Sequence, residues 1–244
     1  MKSLFSLTRF SPAASVTLLC LLSSLFVLSA RAANPLFVVT ELSPPAQTLV
    51  DGRVSGTVTQ RVRDLLRRAG LEGQFHVFPW ARAYELALVR PNTLIYAMAR
   101  TPARESQFKW IAPVGRYSLG FMKLTRHTSL KLENAQQAKI YLTAVQRKDV
   151  AVEVLSDLGF REDDNLLLTA DIQQSWELLL KGKVDFVIDD PAAIQDLLDK
   201  HNLSPEQVTF ELMLPQLEQL TYLAASLETD DALVEKLRAA HLPL

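Results

Sequence analysis

Apolar residues after position 34 recur at two spacings. Short runs rich in β-branched and aromatic residues predict strands, and stretches in which apolar residues return every three or four positions predict helices. The first set of segments reads strand, helix, strand, helix, strand, at residues 36–42, 58–69, 75–78, 80–88 and 93–98. Gly70 follows the first helical stripe and is expected to end that helix.

The same order repeats later without visible sequence identity. The second set lies at residues 139–145, 151–158, 166–169, 172–180 and 184–188. Extended segments lie between the two sets, at residues 110–124, and after the second set, at residues 208–214 and 220–225. An amphipathic helix follows them at residues 233–237. Strands that alternate with helices are typical of α/β proteins with parallel strands. The sequence therefore predicts an α/β fold built from two β-α-β-α-β units.

Two such units in one chain predict two lobes. If the final strand and helix return to the first unit, lobe 1 comprises residues 33–116 and 219–244, and lobe 2 comprises residues 117–218. The chain then crosses between the lobes twice. Two crossings predict a two-strand hinge.

Residues 1–32 have the three-part pattern of a secretory signal peptide, with Lys2 and Arg9 before an apolar run and small residues at its end. We predict cleavage after Ala32 and an exported, periplasmic protein. The alternative is an uncleaved anchor, but the apolar run falls short of the roughly 20 residues that a spanning helix needs. The only cysteine, Cys20, lies in mid-run and would leave with the signal, so no disulfide is expected.

Charge and composition exclude several function classes. The chain has 26 basic and 27 acidic residues, and removal of the signal would leave a net charge of about −4, which gives no reason to expect nucleic-acid binding. The sequence carries no G-x-S-x-G, H-E-x-x-H or Gly-rich phosphate loop, and its four histidines lack metal-ligand spacing. We therefore expect no cofactor, no metal and no catalysis.

Four local strings, in matching order, resemble the type II periplasmic substrate-binding proteins, in particular family 3, which serves polar amino acid uptake. TPARE at 101–105 resembles the family's T-P-x-R-E segment, and GKVDFVIDD at 182–190 its G-K-x-D segment. LTYLAAS at 220–226 is similar to the strand that re-enters the first lobe, and residues 44–56 resemble the loop after the first strand. The resemblance covers nearly all of the chain after the signal. It implies a two-lobe periplasmic binding protein-like II fold.

The string PWARAY at 79–84 suggests a PWxRA-type subgroup with its own pocket chemistry. Two positions depart from the family pattern. Ala99 stands where the family usually has a hydroxyl, and residues 146–149 read Gln-Arg-Lys-Asp where the family loop is small and polar with a glycine.

Arg104 and Asp190 are the leading candidates for ligand binding. Arg104 follows the carboxyl end of a strand, where its guanidinium can pair with a carboxylate and Thr101 can add a hydroxyl; the alternative is an ion pair with Glu105. Asp190 follows the strand at 184–188 and is expected to pair with an ammonium group. Its alternative role is to cap the next helix, and Asp189 could bind the ligand instead.

The weaker candidates are mostly aromatic residues expected near the cleft, which could stack on a ligand. They are Trp80, Trp110 and Tyr117, together with Arg82 and Glu41. Trp80 with Tyr84 at helical spacing is also typical of a core, and Trp176 fits its helix stripe well enough to be assigned to the core.

The resemblance implies a solute-binding protein that captures a small polar ligand, an amino acid or a related carboxylate, in a cleft between the lobes. It would act as a monomer and deliver the ligand to a membrane transporter such as an ABC permease. The first alternative is a periplasmic sensor that acts on a receptor or histidine kinase. The second is an enzyme on the same fold, working with a single acid and bound water.

Overall fold

The structure, a computed structural model, describes residues 35–244. The predicted signal at residues 1–32 lies outside them. The strands are β1 (Leu36–Thr40), β2 (Thr48–Val50), β3 (Arg53–Ser55), β4 (Gly73–Val77), β5 (Thr93–Ala99), β6 (Phe108–Leu124), β7 (Thr143–Gln146), β8 (Leu166–Thr169), β9 (Phe186–Asp189) and β10 (Val208–Ser226). The α-helices are α1 (Thr57–Arg68), α2 (Trp80–Val89), α3 (Val150–Asp157), α4 (Ile172–Leu180), α5 (Ile194–His201) and α6 (Asp231–Ala239).

Eight strands form one sheet in the order β4-β1-β5-β10-β6-β9-β7-β8. The two outer groups, β4-β1-β5 and β9-β7-β8, are parallel, as expected for strands that alternate with helices. Between them, β10 and β6 pair antiparallel with each other and with their outer neighbours β5 and β9. The two predicted β-α-β-α-β units and the two strands that join them are confirmed.

The long strands β6 and β10 pass through both halves of the sheet. Phe108 pairs with Ser226 at one end of this ribbon, and Leu124 pairs with Val208 at the other. The register shifts between Met213 and Glu218, in the middle of β10. This irregular stretch lies where the chain passes from one half to the other, so the ribbon forms the predicted hinge.

The apolar core is divided in the same way. Two clusters of buried side chains draw only on residues 36–114 and 222–240, and two others draw on residues 117–217 with Ala99 as the one addition. This grouping supports the lobe boundaries expected from the sequence, which remain a prediction. We use lobe 1 and lobe 2 below for these two halves.

The sequence of helix α1 explains which of its faces is buried and where the helix ends. Its buried residues Val58, Val62, Leu65 and Leu66 form one stripe against the sheet, while Arg67 and Arg68 in the last turn complement the helix dipole. Gly70, with φ of +60°, takes the left-handed conformation that ends the chain's helical path. The predicted stop at Gly70 is therefore confirmed.

Three details differ from the sequence predictions. Residues 139–142 are not part of a strand, because Ala135–Ile140 form a 3-10 helix that starts with the Asn134 side chain accepting from the Gln136 N–H, and β7 begins only at Thr143. The runs 208–214 and 220–225 are parts of the single strand β10. The hairpin of β2 and β3 was not predicted, because these strands are short and largely exposed.

No helix within residues 35–244 is both long enough and apolar enough to cross a membrane.

The hinge ribbon leaves no room for a side chain at Gly120 of β6. A Cβ there would overlap the backbone carbonyl of Leu212 and lie 2.7 Å from the Phe210 ring. We expect Gly120→Ala to lower the free energy of unfolding by about 1–3 kcal/mol in urea denaturation, because β10 must shift to admit the methyl group. Gly52→Asn is the control, since Gly52 lies at φ +72° with nothing within 4 Å and asparagine tolerates that conformation. Equal stability of the two variants would contradict the close packing at the hinge.

Candidate functional site

A cavity of about 350 Å³ lies between the two lobes. Lobe 1 contributes the end of β1, the loop before α1, the start of α2 and the turn after β5; lobe 2 contributes the ends of β7 and β9. Five of the eight predicted site residues line its wall: Glu41, Trp80, Arg104, Tyr117 and Asp190.

The acidic residues reach the cavity because parallel strands end there. Glu41 directly follows β1, Asp149 caps α3 after β7, and Asp189 is the last residue of β9. The carboxyl ends of parallel strands in open α/β sheets are the usual edge for ligand binding. The topology therefore brings carboxylates from both lobes to one place.

Arg104 lies in the turn between β5 and β6, where its backbone N–H donates to the Thr101 carbonyl at 3.0 Å. Arg104 is only 3% exposed. Its Nη2 donates to the Lys148 carbonyl at 2.9 Å and lies 3.0 Å from Glu153 Oε1. The expected alternative, an ion pair with Glu105, is wrong, because Glu105 pairs with Arg100 instead. Arg104 thus bridges lobe 1 to lobe 2 at the cavity wall.

Asp190 accepts two backbone hydrogen bonds. Its Oδ1 accepts from the Ala192 N–H at 2.8 Å, which is the capping role expected as an alternative, and its Oδ2 accepts from the Ser118 N–H of β6 at 2.9 Å. Asp189 is buried and accepts from Trp176 Nε1 at 2.7 Å and from the Asp190 N–H at 2.8 Å. Trp176 lies in the core as predicted, with its indole N–H directed at this carboxylate.

The electrostatics of the cavity are dominated by buried acids. Burial raises the pKa of Glu41 well above its ordinary value, and the negative charge of Asp149 raises it further. Burial also raises the pKa of Asp149, and raises that of Asp189 to about 7. Within residues 35–244, Glu41 Oε2 and the Tyr117 hydroxyl are buried without a hydrogen-bond partner. Such unpaired polar atoms facing a cavity favour a ligand with hydrogen-bond donors.

Three predicted residues do not line the cavity. Trp110 is buried among the lobe 1 aromatics and donates from Nε1 to the Glu105 carbonyl at 3.1 Å. The Arg82 guanidinium lies 5.0 Å from the centre of the Phe78 ring. Thr101 supports the Arg104 turn with its carbonyl. Of the five predicted residues that do line the cavity, Glu41 and Asp190 directly follow a strand.

Sequence reasoning did not propose several of the cavity residues as ligand contacts. Arg61 lies on α1, Gln146 ends β7 and Arg116 lies within β6. Glu153, the partner of Arg104, lies on α3, four residues after the end of the segment Gln146–Asp149 that departs from the family pattern. That departure was the one signal that could have directed attention there.

Within the described part of the chain, no group of three or more histidine, cysteine or acidic residues is arranged to hold a metal ion.

No protein-family model matches the chain, and no curated protein sequence matches it. Solved structures do match. An ancestral arginine-binding protein bound to arginine aligns over 84% of this chain and 90% of its own with a TM-score of 0.72 and 16% identity. The fold is that of the periplasmic binding proteins.

Two further structures with this binding-protein fold are similar. The arginine-, lysine-, histidine-binding protein ArtJ from Geobacillus stearothermophilus covers 85% of this chain and 87% of its own, with a TM-score of 0.71 and 16% identity. A histidine kinase sensor domain with similarity to periplasmic binding proteins covers 85% and 88%, with a TM-score of 0.72 and 14% identity. At these identities the likeness establishes the architecture.

The raised pKa of Asp189 predicts a pH-dependent stability. The folded carboxyl, with a pKa of about 7, keeps its proton over a range in which an unfolded aspartate with a pKa of about 4 has lost it. The folded state therefore binds more protons between about pH 4 and pH 7, and the free energy of unfolding should fall as pH rises through this range, by at least about 1 kcal/mol.

Urea denaturation between pH 4.5 and 8.5 measures this slope. Asp189→Asn removes the titrating group, so its slope should be shallower, even though the lost hydrogen bond lowers its stability overall. Asp51→Asn, at an exposed turn, should keep the wild-type slope. An Asp189→Asn slope equal to that of the wild type would contradict the prediction.

Proposed function

We propose that this chain is a solute-binding protein that captures a small polar ligand between its lobes and presents the closed form to a membrane transporter. The ligand class we propose is amino acids and related compounds that carry an additional cationic group. The observation that carries this proposal is the buried and unpartnered Glu41 Oε2 in a cavity lined by both lobes.

The charge balance of the cavity supports a cationic ligand. Four carboxyl groups line the wall, those of Glu41, Asp149, Asp189 and Asp190. The wall also carries three guanidinium groups, of which that of Arg104 is buried, whereas Arg61 and Arg116 are exposed residues. An ammonium or guanidinium group near Glu41 and Asp149 would offset the cost of burying these carboxylates and would donate to the free oxygen of Glu41. The structural neighbours that bind arginine agree with this choice.

The other end of the ligand would meet Arg104. Its guanidinium has five donor hydrogens, and one nitrogen, Nη2, makes the two contacts to lobe 2, so the remaining N–H groups are available to a ligand carboxylate. Asp190 uses one lone pair on each oxygen for backbone N–H groups and retains capacity for a ligand ammonium. Tyr117 would add its hydroxyl and Trp80 an apolar wall.

We also propose that the PWARAY string marks a subgroup with its own pocket. Trp80 begins α2 at the cavity, and its indole N–H bonds to lobe 2 rather than pointing at solvent. Tyr84, one turn later, is buried and donates to Gln107 Oε1 at 2.8 Å. The string therefore has two roles: Trp80 lines the cavity, and Tyr84 packs against the turn that contains Arg104.

The cellular setting follows from the same proposal. We propose that residues 1–32 direct export, that the protein works as a monomer in the periplasm, and that it binds rather than transforms its ligand. The membrane partner we propose is an ABC permease.

A sensory role is the second candidate. It is favoured by one specific observation, the match in fold to a histidine kinase sensor domain over 85% of this chain. In that case the closed form would act on a membrane receptor, and the ligand chemistry at the cavity would be unchanged.

Isothermal titration calorimetry against L-arginine, L-lysine, L-histidine, L-glutamine and L-glutamate tests the proposal. We expect at least one cationic amino acid to bind at least tenfold more tightly than glutamate, because glutamate would bring a further negative charge to the acidic wall. We expect Glu41→Gln to weaken that binding by about 10–100-fold, the usual range for a lost charge-assisted hydrogen bond.

Glu228→Gln, at an exposed position in the turn before α6, is the matched control and should bind like the wild type. Tightest binding of glutamate, or no binding of any member of the panel, would refute the proposed ligand class.

A further inference from the structure

The two lobes contact each other directly beside the cavity, at the loop between β7 and α3. The backbone carbonyl of Lys148 in lobe 2 accepts two hydrogen bonds from lobe 1, one from Trp80 Nε1 at 2.8 Å and one from Arg104 Nη2 at 2.9 Å. Both donors are on buried residues. A single oxygen therefore satisfies two buried N–H groups of the opposite lobe.

The side chains of the same loop and the following helix add two ion pairs across the lobes. Lys148 Nζ lies 2.7 Å from Glu85 Oε1 on α2, and Arg104 Nη2 lies 3.0 Å from Glu153 Oε1 on α3. Lys148 and Glu85 are each about half exposed, so their pair contributes little. In the second pair the Arg104 side chain is 4% exposed and that of Glu153 is 40% exposed. We call Trp80, Glu85, Arg104, Lys148 and Glu153 the interlobe latch.

The backbone at Lys148 is shaped to make these contacts. Its φ of +62° lies in the left-handed region, which is uncommon for a residue other than glycine and costs about 1 kcal/mol or more. This conformation occurs at the residue whose carbonyl receives the Trp80 and Arg104 N–H groups. Glycine would adopt it freely, but glycine could not form the pair with Glu85.

Opening the lobes would leave the latch groups of lobe 1 without their partners. Within residues 35–244, the ion pair of Arg104 is with Glu153, and the hydrogen bond of the Trp80 indole is with Lys148. Both are interlobe contacts that depend on no ligand atom. Closure is therefore stabilised by the protein itself.

We propose that the interlobe latch keeps the lobes closed without ligand and that Trp80 and Lys148 act as positioning residues, which hold Arg104 against the cavity through the Lys148 carbonyl. The ligand then stabilises a closed form that is already populated without it. Ligand can enter or leave only when the contacts of the latch break.

Distance measurement in the ligand-free protein tests this proposal. Val89, 71% exposed at the end of α2, and Ile140, 82% exposed before β7, provide one exposed labelling position on each lobe. Cysteines at these two positions, in the full chain with Cys20→Ser, can be spin-labelled for pulsed electron paramagnetic resonance. Bound ligand is first removed by unfolding and refolding the protein. In the otherwise unchanged protein we expect one dominant short distance between the two spin labels.

Trp80→Phe keeps an aromatic ring but removes the N–H donor, so we expect it to shift a substantial fraction of molecules to a second distance. Trp110→Phe is the matched control, because Trp110 donates a similar bond to Glu105 within lobe 1 and should leave the distribution unchanged. An identical distribution for Trp80→Phe and the reference protein, or a broad distribution in the reference protein itself, would overturn the proposal.

Substitutions at Lys148 separate its backbone from its side chain. Both Lys148→Gly and Lys148→Ala lose the pair with Glu85, but only glycine relaxes the left-handed backbone, so Lys148→Gly should stay more closed than Lys148→Ala. Glu85→Gln removes the exposed pair alone and should shift the distribution slightly, with less effect at high salt. A larger opening in Lys148→Gly than in Lys148→Ala would overturn the role assigned to the carbonyl.

These measurements use no ligand, so they separate the latch from the proposed function. A protein that binds no amino acid could still be closed by its latch, and a protein that binds arginine could still be open without it.

Discussion

The antiparallel pairing of β6 with β10 runs from Phe108 and Ser226 at one end to Leu124 and Val208 at the other. Each lobe attaches its parallel strands to one outer edge of this ribbon, lobe 1 through β5 and lobe 2 through β9. The pairing between the two halves of the sheet therefore runs through the two strands β6 and β10. Because the register is already irregular between Met213 and Glu218, a change of lobe angle there disturbs few ladder hydrogen bonds, and each lobe can keep its own core.

This connection explains why the cavity can hold so many acids. The carboxyl ends of β1, β7 and β9 face one another across the hinge, and each brings a carboxyl group. Burial of unpaired carboxylates is costly, and this cost is the main reason why the pKa values of Glu41, Asp149 and Asp189 are raised. The ammonium or guanidinium group of the proposed ligand would lower this cost, and Arg104 offsets part of the negative charge from the lobe 1 side.

The sequence predicted the order of the helices and strands well, because burial on one or two faces imposes a period that apolar residues must follow. It also predicted that Glu41, Arg104 and Asp190 would lie together, since strand ends meet at a common edge. It did not predict that Glu153 pairs with Arg104, because this contact depends on the angle between the lobes. The strand predicted at 139–145 included the last two residues of the 3-10 helix Ala135–Ile140, because so short a helix has no clear apolar period.

The oxygen at the centre of the latch belongs to the main chain of Lys148. Every amino acid has this carbonyl oxygen, so no substitution at position 148 can delete the acceptor. A substitution can only change the backbone conformation that orients the carbonyl. The balance between open and closed forms is therefore left to the donors, Trp80 and Arg104, which lie on the other lobe. A substitution at position 80 would therefore change a donor of the latch and the ring at the cavity wall, while the four carboxyl groups of that wall stay in place.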